Sequence, residues 1–253
     1  MELRDRIALV TGGGGAGTGR AIARILAGEG AATVVADVDE VGGSETVRLI
    51  EADRGRAAFV RADVTVEDDV ERMIRFAVET YGGLDVLVNN AGAAPEPPFP
   101  DAPAEQWRRT LDLNLTGPML AIQHAIHPMR ERGAGAVVNV SSVAGIGYRA
   151  HPNPDYAAAK AGLIRLSAVL APLADRWNIR VNCLIPHWIR TPEVLEEIAA
   201  LPPEERAAVP QLIPPEDIAA AVLGLIRDET LAGRVMIYWC EDAPRLISND
   251  RRE

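Results

Sequence analysis

Seven short apolar runs punctuate this chain, and a longer stretch of helical character separates each from the next. The runs are "RIALVT" (6–11), "AATVVA" (31–36), "RAAFVRA" (56–62), "LDVLVNN" (84–90), "GAVVNVS" (135–141), "IRVNCLI" (179–185) and "RVMIYW" (234–239). Several are almost unbroken in Val, Ile and Leu, as strands buried on both faces should be. Candidate helices fill the intervals near 17–29, 40–54, 67–81, 104–132, 155–177 and 215–228. Alternation kept up from end to end predicts an α/β chain, a doubly wound parallel sheet with helices on both faces.

No linker divides the 253 residues, so residues 1–253 read as one domain. At this length roughly 70–75% of the unfolded surface can be buried, and no disulfide or metal staple is needed. Two Pro-rich pieces, "APEPPFPDAP" (94–103) and "LPPEERAAVPQLIPPED" (201–217), follow the fourth and sixth runs. Segments after strands lie at the carboxyl edge of such a sheet, where ligands bind. Substrate loops are therefore expected near 94–103, 146–155 and 187–214. Net charge is -10 and no basic block occurs, which excludes nucleic acid as a partner on electrostatic grounds. Cys183 and Cys240 lack CxxC spacing and read as reduced thiols. The N-terminus has no signal-peptide pattern and no long apolar run occurs, so the expectation is a cytoplasmic protein without a membrane partner.

"LVTGGGGAGTGRAIARIL" sets a glycine cluster between the first run and the first helix. Glycine permits a tight turn and close backbone approach to a pyrophosphate, while the helix N-terminus supplies N–H donors and a positive dipole end. The second run ends "VVADVD", which puts Asp37 18 residues beyond Gly19. A carboxylate there accepts hydrogen bonds from adenosine ribose hydroxyls and repels a 2′-phosphate. Neither Ala16 nor Val38 offers that phosphate a positive charge, so the expected cofactor is NAD.

With "ADV" (62–64), "NNAG" (89–92), "LDLNLTG" (111–117), "VNVSSVAG" (138–145), "YAAAK" (156–160) and "RVNCLIPHWIRT" (180–191), the chain resembles the short-chain dehydrogenase/reductase superfamily, over about residues 5–230. The resemblance implies a Rossmann-type sheet of about seven strands and a homotetramer or homodimer. It also implies that Asp63 and Val64 meet the adenine. Asn90, with Ala91 and Gly92, would lie beside the ribose on the nicotinamide side, and Ile189 and Thr191 would hold the carboxamide. The glycine loop is one residue longer than TGxxxGxG. Counting back from Gly19 gives Gly13-xxx-Gly17-Thr18-Gly19 and leaves Gly12 at the place of the threonine.

Lys160 is the only lysine; every other basic side chain is arginine. It follows Tyr156 by four residues, so on a helix the two share one face. Free tyrosine has a pKa of about 10 and is a poor base near neutrality. A nearby ammonium lowers that pKa, and a cationic oxidised nicotinamide would push the same way. Tyr156 then serves as acid/base between a secondary alcohol and a ketone. Lysine suits the task because its compact ammonium can reach ribose hydroxyls and release a proton, which arginine cannot. By resemblance, Ser142 orients the substrate, with Ser141 as its immediate rival, and Asn114 anchors a water that links the lysine to solvent.

Ser142 and Tyr156 are 14 steps apart, one more than the family's usual spacing, and Pro186-His187 replaces its proline-glycine. Tyr148, Trp188 and Phe99 point to a moderately hydrophobic alcohol or ketone, whereas Arg149 and Arg190 could receive a carboxylate. His151 and His187 fall in site loops and are candidate substrate contacts. His124 and His127 are i, i+3 without a third ligand, so no metal is expected. Two other readings stay open: a dinucleotide-binding sensor or scaffold without turnover, and a redox-neutral dehydratase or epimerase on the same fold.

Overall fold

The apolar runs become the strands of one sheet. A computed structural model describes residues 1–147 and 151–247. In chain order it contains β1 (Ile7–Thr11), α1 (Thr18–Gly28), β2 (Ala32–Asp37), α2 (Glu40–Ala52), β3 (Arg56–Arg61), α3 (Glu67–Tyr81) and β4 (Val86–Asn89). These are followed by α4 (Ala104–Leu111), a π-helical turn (Asp112–Thr116), α5 (Gly117–Glu131), β5 (Gly135–Val140) and a 3-10 turn (Val143–Gly145). The remainder is α6 (Pro154–Val169), α7 (Leu173–Trp177), β6 (Ile179–Pro186), α8 (Pro192–Ala200), α9 (Pro203–Ala207), α10 (Pro215–Arg227), β7 (Val235–Tyr238) and β8 (Arg245–Leu246).

The sheet order is β3-β2-β1-β4-β5-β6-β7-β8. The first seven strands run parallel, and β8 is an antiparallel addition to β7. Strand order reverses between β1 and β4, and a doubly wound sheet binds ligands at that switch point. Strand residues alternate between two cores. Ala8 and Val10 join Ile22 and Leu26 of α1 and Val222 and Leu225 of α10 on one face. Ile7 and Leu9 join Val70 and Met73 of α3 and Ile122 and Met129 of α5 on the other. Period-two alternation with both faces covered is what near-continuous apolar strands require.

Two buried charges brace the edge of the sheet away from the loops. Asp85, fully buried just before β4, accepts from Arg6, from the Ile7 amide and from both Nε and Nη2 of Arg132. Arg180 donates to the carbonyls of Leu225, Ile226, Asp228 and Leu231, which satisfies the orphan acceptors at the end of α10.

Three features differ from the sequence expectation. The helical stretch 155–177 breaks after Val169, because Pro172 has no N–H to donate to Ala168 and its ring crowds that carbonyl. The loop 187–214 carries α8 and α9; Thr191 caps α8 by accepting from the Val194 amide, and Pro192 fills the first helical position. The stretch 104–132 keeps its helical course but widens to a π turn around Asn114.

Candidate active site

The glycine loop is fastened at both ends. Thr11 Oγ1 accepts from the Asn90 and Ala91 amides, each at 3.1 Å. Asn90 Nδ2 donates back to the carbonyls of Thr11 (3.0 Å) and Gly12 (3.2 Å), so Asn90 is a tie between strand ends as well as a cleft residue. Gly12 has φ +68°, and a side chain on Gly19 would overlap the Gly12 carbonyl oxygen. Both positions need glycine. Thr11 and Gly12 both join the loop to the end of β4.

Within the loop, Gly13 packs under Val35, Gly17 faces Thr191 and Gly15 has open space where a side chain would stand. No side chain caps α1 at Gly17, which leaves the first amides of α1, from Thr18 onward, as donors without a side-chain acceptor. Gly12, Gly15, Gly17, Thr18 and Gly19 all line a cleft of about 930 Å³.

Asp37 closes β2 beside this loop. Its Oδ2 accepts from the Gly14 amide at 2.7 Å and its Oδ1 from Asp39 at 2.9 Å, leaving each oxygen a further lone pair. Val38 is exposed. Arg20, in the first turn of α1, is committed to the Gly14 and Gly42 carbonyls and to Thr46 Oγ1. At the end of β3, Asp63 Oδ1 accepts from both the amide and the hydroxyl of Thr65, and Val64 is buried. Asp63 and Val64 stand beside the cleft, outside its lining, as do Asp37 and Val38.

At the other end of the cleft α6 presents Tyr156 and Lys160 on one face. Lys160 is 3% exposed, and its Nζ donates to the Val140 carbonyl at 3.1 Å and lies 5.5 Å from the centroid of the Tyr156 ring. Ser142 Oγ accepts from the Ala144 amide at 3.2 Å, and its hydroxyl is close enough to the Tyr156 phenol to favour the phenolate. Ser141 is buried and donates to the Lys160 carbonyl at 2.8 Å, so its hydroxyl holds α6 to β5. Both serines line the cleft, and only the Ser141 hydroxyl is engaged by the Lys160 carbonyl.

Asn114, fully buried in the π turn, donates from Nδ2 to the carbonyls of Ala93 and Thr110, both at 2.9 Å. Its Oδ1 is buried without a hydrogen-bond partner among the described residues. The π turn accounts for an asparagine that a regular helix interior would disfavour, and such turns cluster at functional sites.

In the protein alone burial pushes the Tyr156 phenol up, and Ser142 only partly opposes this. Burial also brings Lys160 down from 10.5 to about 8. Cys183, buried near Lys160, is pushed up to about 12 and stays a neutral thiol.

The substrate side is built from three loops. Asn153 Nδ2 donates to the Pro95 carbonyl at 2.7 Å, and the Phe99 amide donates to Pro152 at 3.0 Å, which stitches 94–103 to the start of α6. Phe99 packs on Trp107 with ring centroids 6.3 Å apart. Ile189 bridges to Ile213, and with Thr191 it lines the cleft near the glycine loop. His187 also lines the cleft; its Nδ1 lies 3.0 Å from Cys240 Sγ and its ring meets Trp239 edge-on. Tyr148 and Arg149 lie outside the described residues. Arg190 is exposed and outside the lining, whereas Glu96, Glu193 and Glu197 are in it. The sequence analysis did not select these glutamates, although Glu193 and Glu197 are i, i+4 behind a Thr-Pro helix start. His124 and His127 stand far along α5, each 3.5 Å from a glutamate, and no group of three metal-ligand side chains gathers among the described residues.

Residues 6–200 match the family model described as short chain dehydrogenase. The chain belongs to the short chain dehydrogenase family. Among its dehydrogenase relatives is a cis-4-hydroxycyclohexanecarboxylate dehydrogenase of Sinomonas cyclohexanicum, 40% identical over 231 residues, 88% of this chain and 90% of the relative. A 3beta-hydroxysteroid dehydrogenase of Eggerthella lenta is 41% identical over 241 residues, 90% and 89% of the two chains. A solved short-chain dehydrogenase/reductase structure from Burkholderia xenovorans superposes with a TM-score of 0.86 at 34% identity, covering 93% of this chain and 95% of that one. Family membership makes this short chain dehydrogenase an oxidoreductase of the alcohol–ketone type that uses a nicotinamide dinucleotide. No described helix is long and apolar enough to cross a membrane.

Proposed function

We propose that this dehydrogenase interconverts a ring-borne secondary alcohol and its ketone with NAD(H), working as one domain over 1–253. The observation that carries the reading is a single cleft lined by the glycine loop at one end and by Ser142, Tyr156 and Lys160 at the other, with Lys160 Nζ 5.5 Å from the Tyr156 ring centroid. The relatives named for a hydroxycyclohexane acid and a hydroxysteroid support a ring alcohol.

The dinucleotide fits features of the chain itself. Gly15 leaves open space, α1 begins without a side-chain cap, and a side chain on Gly19 is excluded. Gly13, Gly17, Thr18 and Gly19 would cradle the pyrophosphate, Asp37 and Val38 the adenosine ribose, and Asp63 and Val64 the adenine. Asn90, Ala91 and Gly92 would flank the second ribose, with Ile189 and Thr191 at the carboxamide. Asp37 keeps acceptor capacity for two ribose hydroxyls, and the Arg20 guanidinium is already engaged, which together favour NAD over its 2′-phosphorylated form. When bound, the cofactor supplies the two-electron acceptor.

Ser142 holds the substrate oxygen and Tyr156 Oη takes its proton on oxidation, or returns it on reduction. Lys160 stabilises the phenolate from beside the ring. The orphan Oδ1 of Asn114 accepts from a water that passes the proton onward. Exposed Trp107, Leu111, Met119 and Val169 on α4, α5 and α6 support a homodimer or homotetramer, and the free thiols favour a cytoplasmic location.

The test is NADH formation from NAD with a panel of alicyclic alcohols. Net NADH supports the dehydrogenase; its absence in protein that binds NADH moves the reading to a sensor or to redox-neutral chemistry.

A further inference from the structure

His151 was one of two loop histidines, and the structure gives it a fixed setting. Its ring stacks beside Tyr156, with centroids 5.7 Å apart and planes 27° apart, and it lines the cleft. Nδ1 is committed to its own loop: the Asn153 amide donates to it at 3.1 Å, and the Asn153 carbonyl lies 3.2 Å away. Asn153 is itself buried and anchored to Pro95. With Nδ1 accepting from the Asn153 amide the neutral ring carries its proton on Nε2, whereas with Nδ1–H donating to the Asn153 carbonyl Nε2 is an acceptor; the first tautomer is the one that can donate into the cleft. Nε2 has no hydrogen-bond partner among the described residues, and it sits on the ring edge remote from that anchor.

Resting on the oxidoreductase reading above, we propose that His151 is a specificity-determining residue whose Nε2–H donates to a second oxygen of an uncharged substrate. Tyr156 and Ser142, which line the cleft together, take the reacting oxygen. A ring about 5.7 Å away serves a substituent close to the reacting carbon. The charge of the cleft sets the class of that substituent. Glu96, Glu193 and Glu197 line it, and among the described residues Lys160, buried and turned to Val140, is its only Lys or Arg. A carboxylate entering such a cleft meets three glutamates and, among the described residues, no arginine or free lysine side chain to pair with, whereas a hydroxyl or carbonyl carries no charge to repel. The substrate is thus a diol or hydroxyketone, in contrast to the hydroxy acid for which one relative is named.

The test compares cyclohexanol, trans-cyclohexane-1,2-diol and 2-hydroxycyclohexanecarboxylate with wild type, His151→Phe and His151→Gln, each first shown to bind NADH. Wild type should prefer the diol to cyclohexanol by about tenfold or more in kcat/KM and use the hydroxy acid least. His151→Phe should lower kcat/KM for the diol at least about tenfold more than for cyclohexanol, mainly through KM, and His151→Gln should recover part of the difference. An unchanged diol preference in His151→Phe, or a hydroxy acid preferred by wild type, would overturn the proposal. Failure of wild type to turn over any of the three would overturn the oxidoreductase reading beneath it, and turnover that survives Tyr156→Phe would overturn the assignment of Tyr156.

Discussion

Asn114 and Lys160 converge on Gly92: a Cβ there would lie 2.7 Å from Asn114 Oδ1 and 2.9 Å from Lys160 Nζ. One missing side chain thus lets two buried polar groups from different helices approach the same point beneath the cleft. Gly92→Ala should displace one of them and lower kcat by roughly ten- to a hundredfold, beyond any loss of NADH affinity. Steady-state kinetics beside a fluorescence titration would check this; unchanged kcat would mean that the convergence has no catalytic role.

Lys160 makes a pH-dependent contribution of defined sign. Its pKa is about 8 in the folded protein against 10.5 for the free side chain. Between those values the unfolded chain binds more protons, so this group adds stability as pH rises. Cys183, raised from 9.0 to about 12, acts in the opposite sense above pH 9. Comparison with Lys160→Met cancels the cysteine. Relative to that variant, wild type should gain stability from pH 8 upward in denaturant titrations, and a flat difference would place the lysine's pKa elsewhere.

Asp37 should set the choice of cofactor. Wild type should bind NADH at least about a hundredfold more tightly than NADPH, and Asp37→Ser should narrow that ratio about tenfold or more by removing the repulsion and the ribose acceptor together. Equilibrium titration with both dinucleotides decides the point, and an equal ratio in the two proteins would exclude Asp37 as the discriminator.

Asp85 lies far from the chemistry but carries two arginines and a backbone amide in a fully buried position. Asp85→Ala should cost about 3–5 kcal/mol by leaving those donors unmatched. Denaturant midpoints at constant slope would show it, and a loss under 1 kcal/mol would mean that the arginines find water instead.

Much of this architecture was legible because parallel strands buried on both faces cannot hide their composition: "IALV" and "VLVN" read as strands at a glance. Lys160 was legible for a different reason, since a chain that otherwise uses arginine signals chemistry when it keeps one lysine. Ser141 and Ser142 could not be separated by sequence, because only the packing of α6 on β5 decides which hydroxyl is consumed by the Lys160 carbonyl. The burial that raises the Tyr156 pKa in the protein alone is not legible in sequence, because charge proximity is visible in i, i+4 spacing whereas desolvation depends on everything packed around the ring. Glu193, Glu197 and the anchoring of His151 depend on loop geometry, which has no periodic pattern to betray it.

The central claim is that Tyr156 carries the proton of the reacting alcohol. The most direct test is NADH formation by wild type and Tyr156→Phe on the same alicyclic alcohol, in proteins with matched NADH affinity. The account predicts a loss of at least about a hundredfold in kcat for the phenylalanine variant, with the cofactor still bound. A variant that retains wild-type turnover would contradict it.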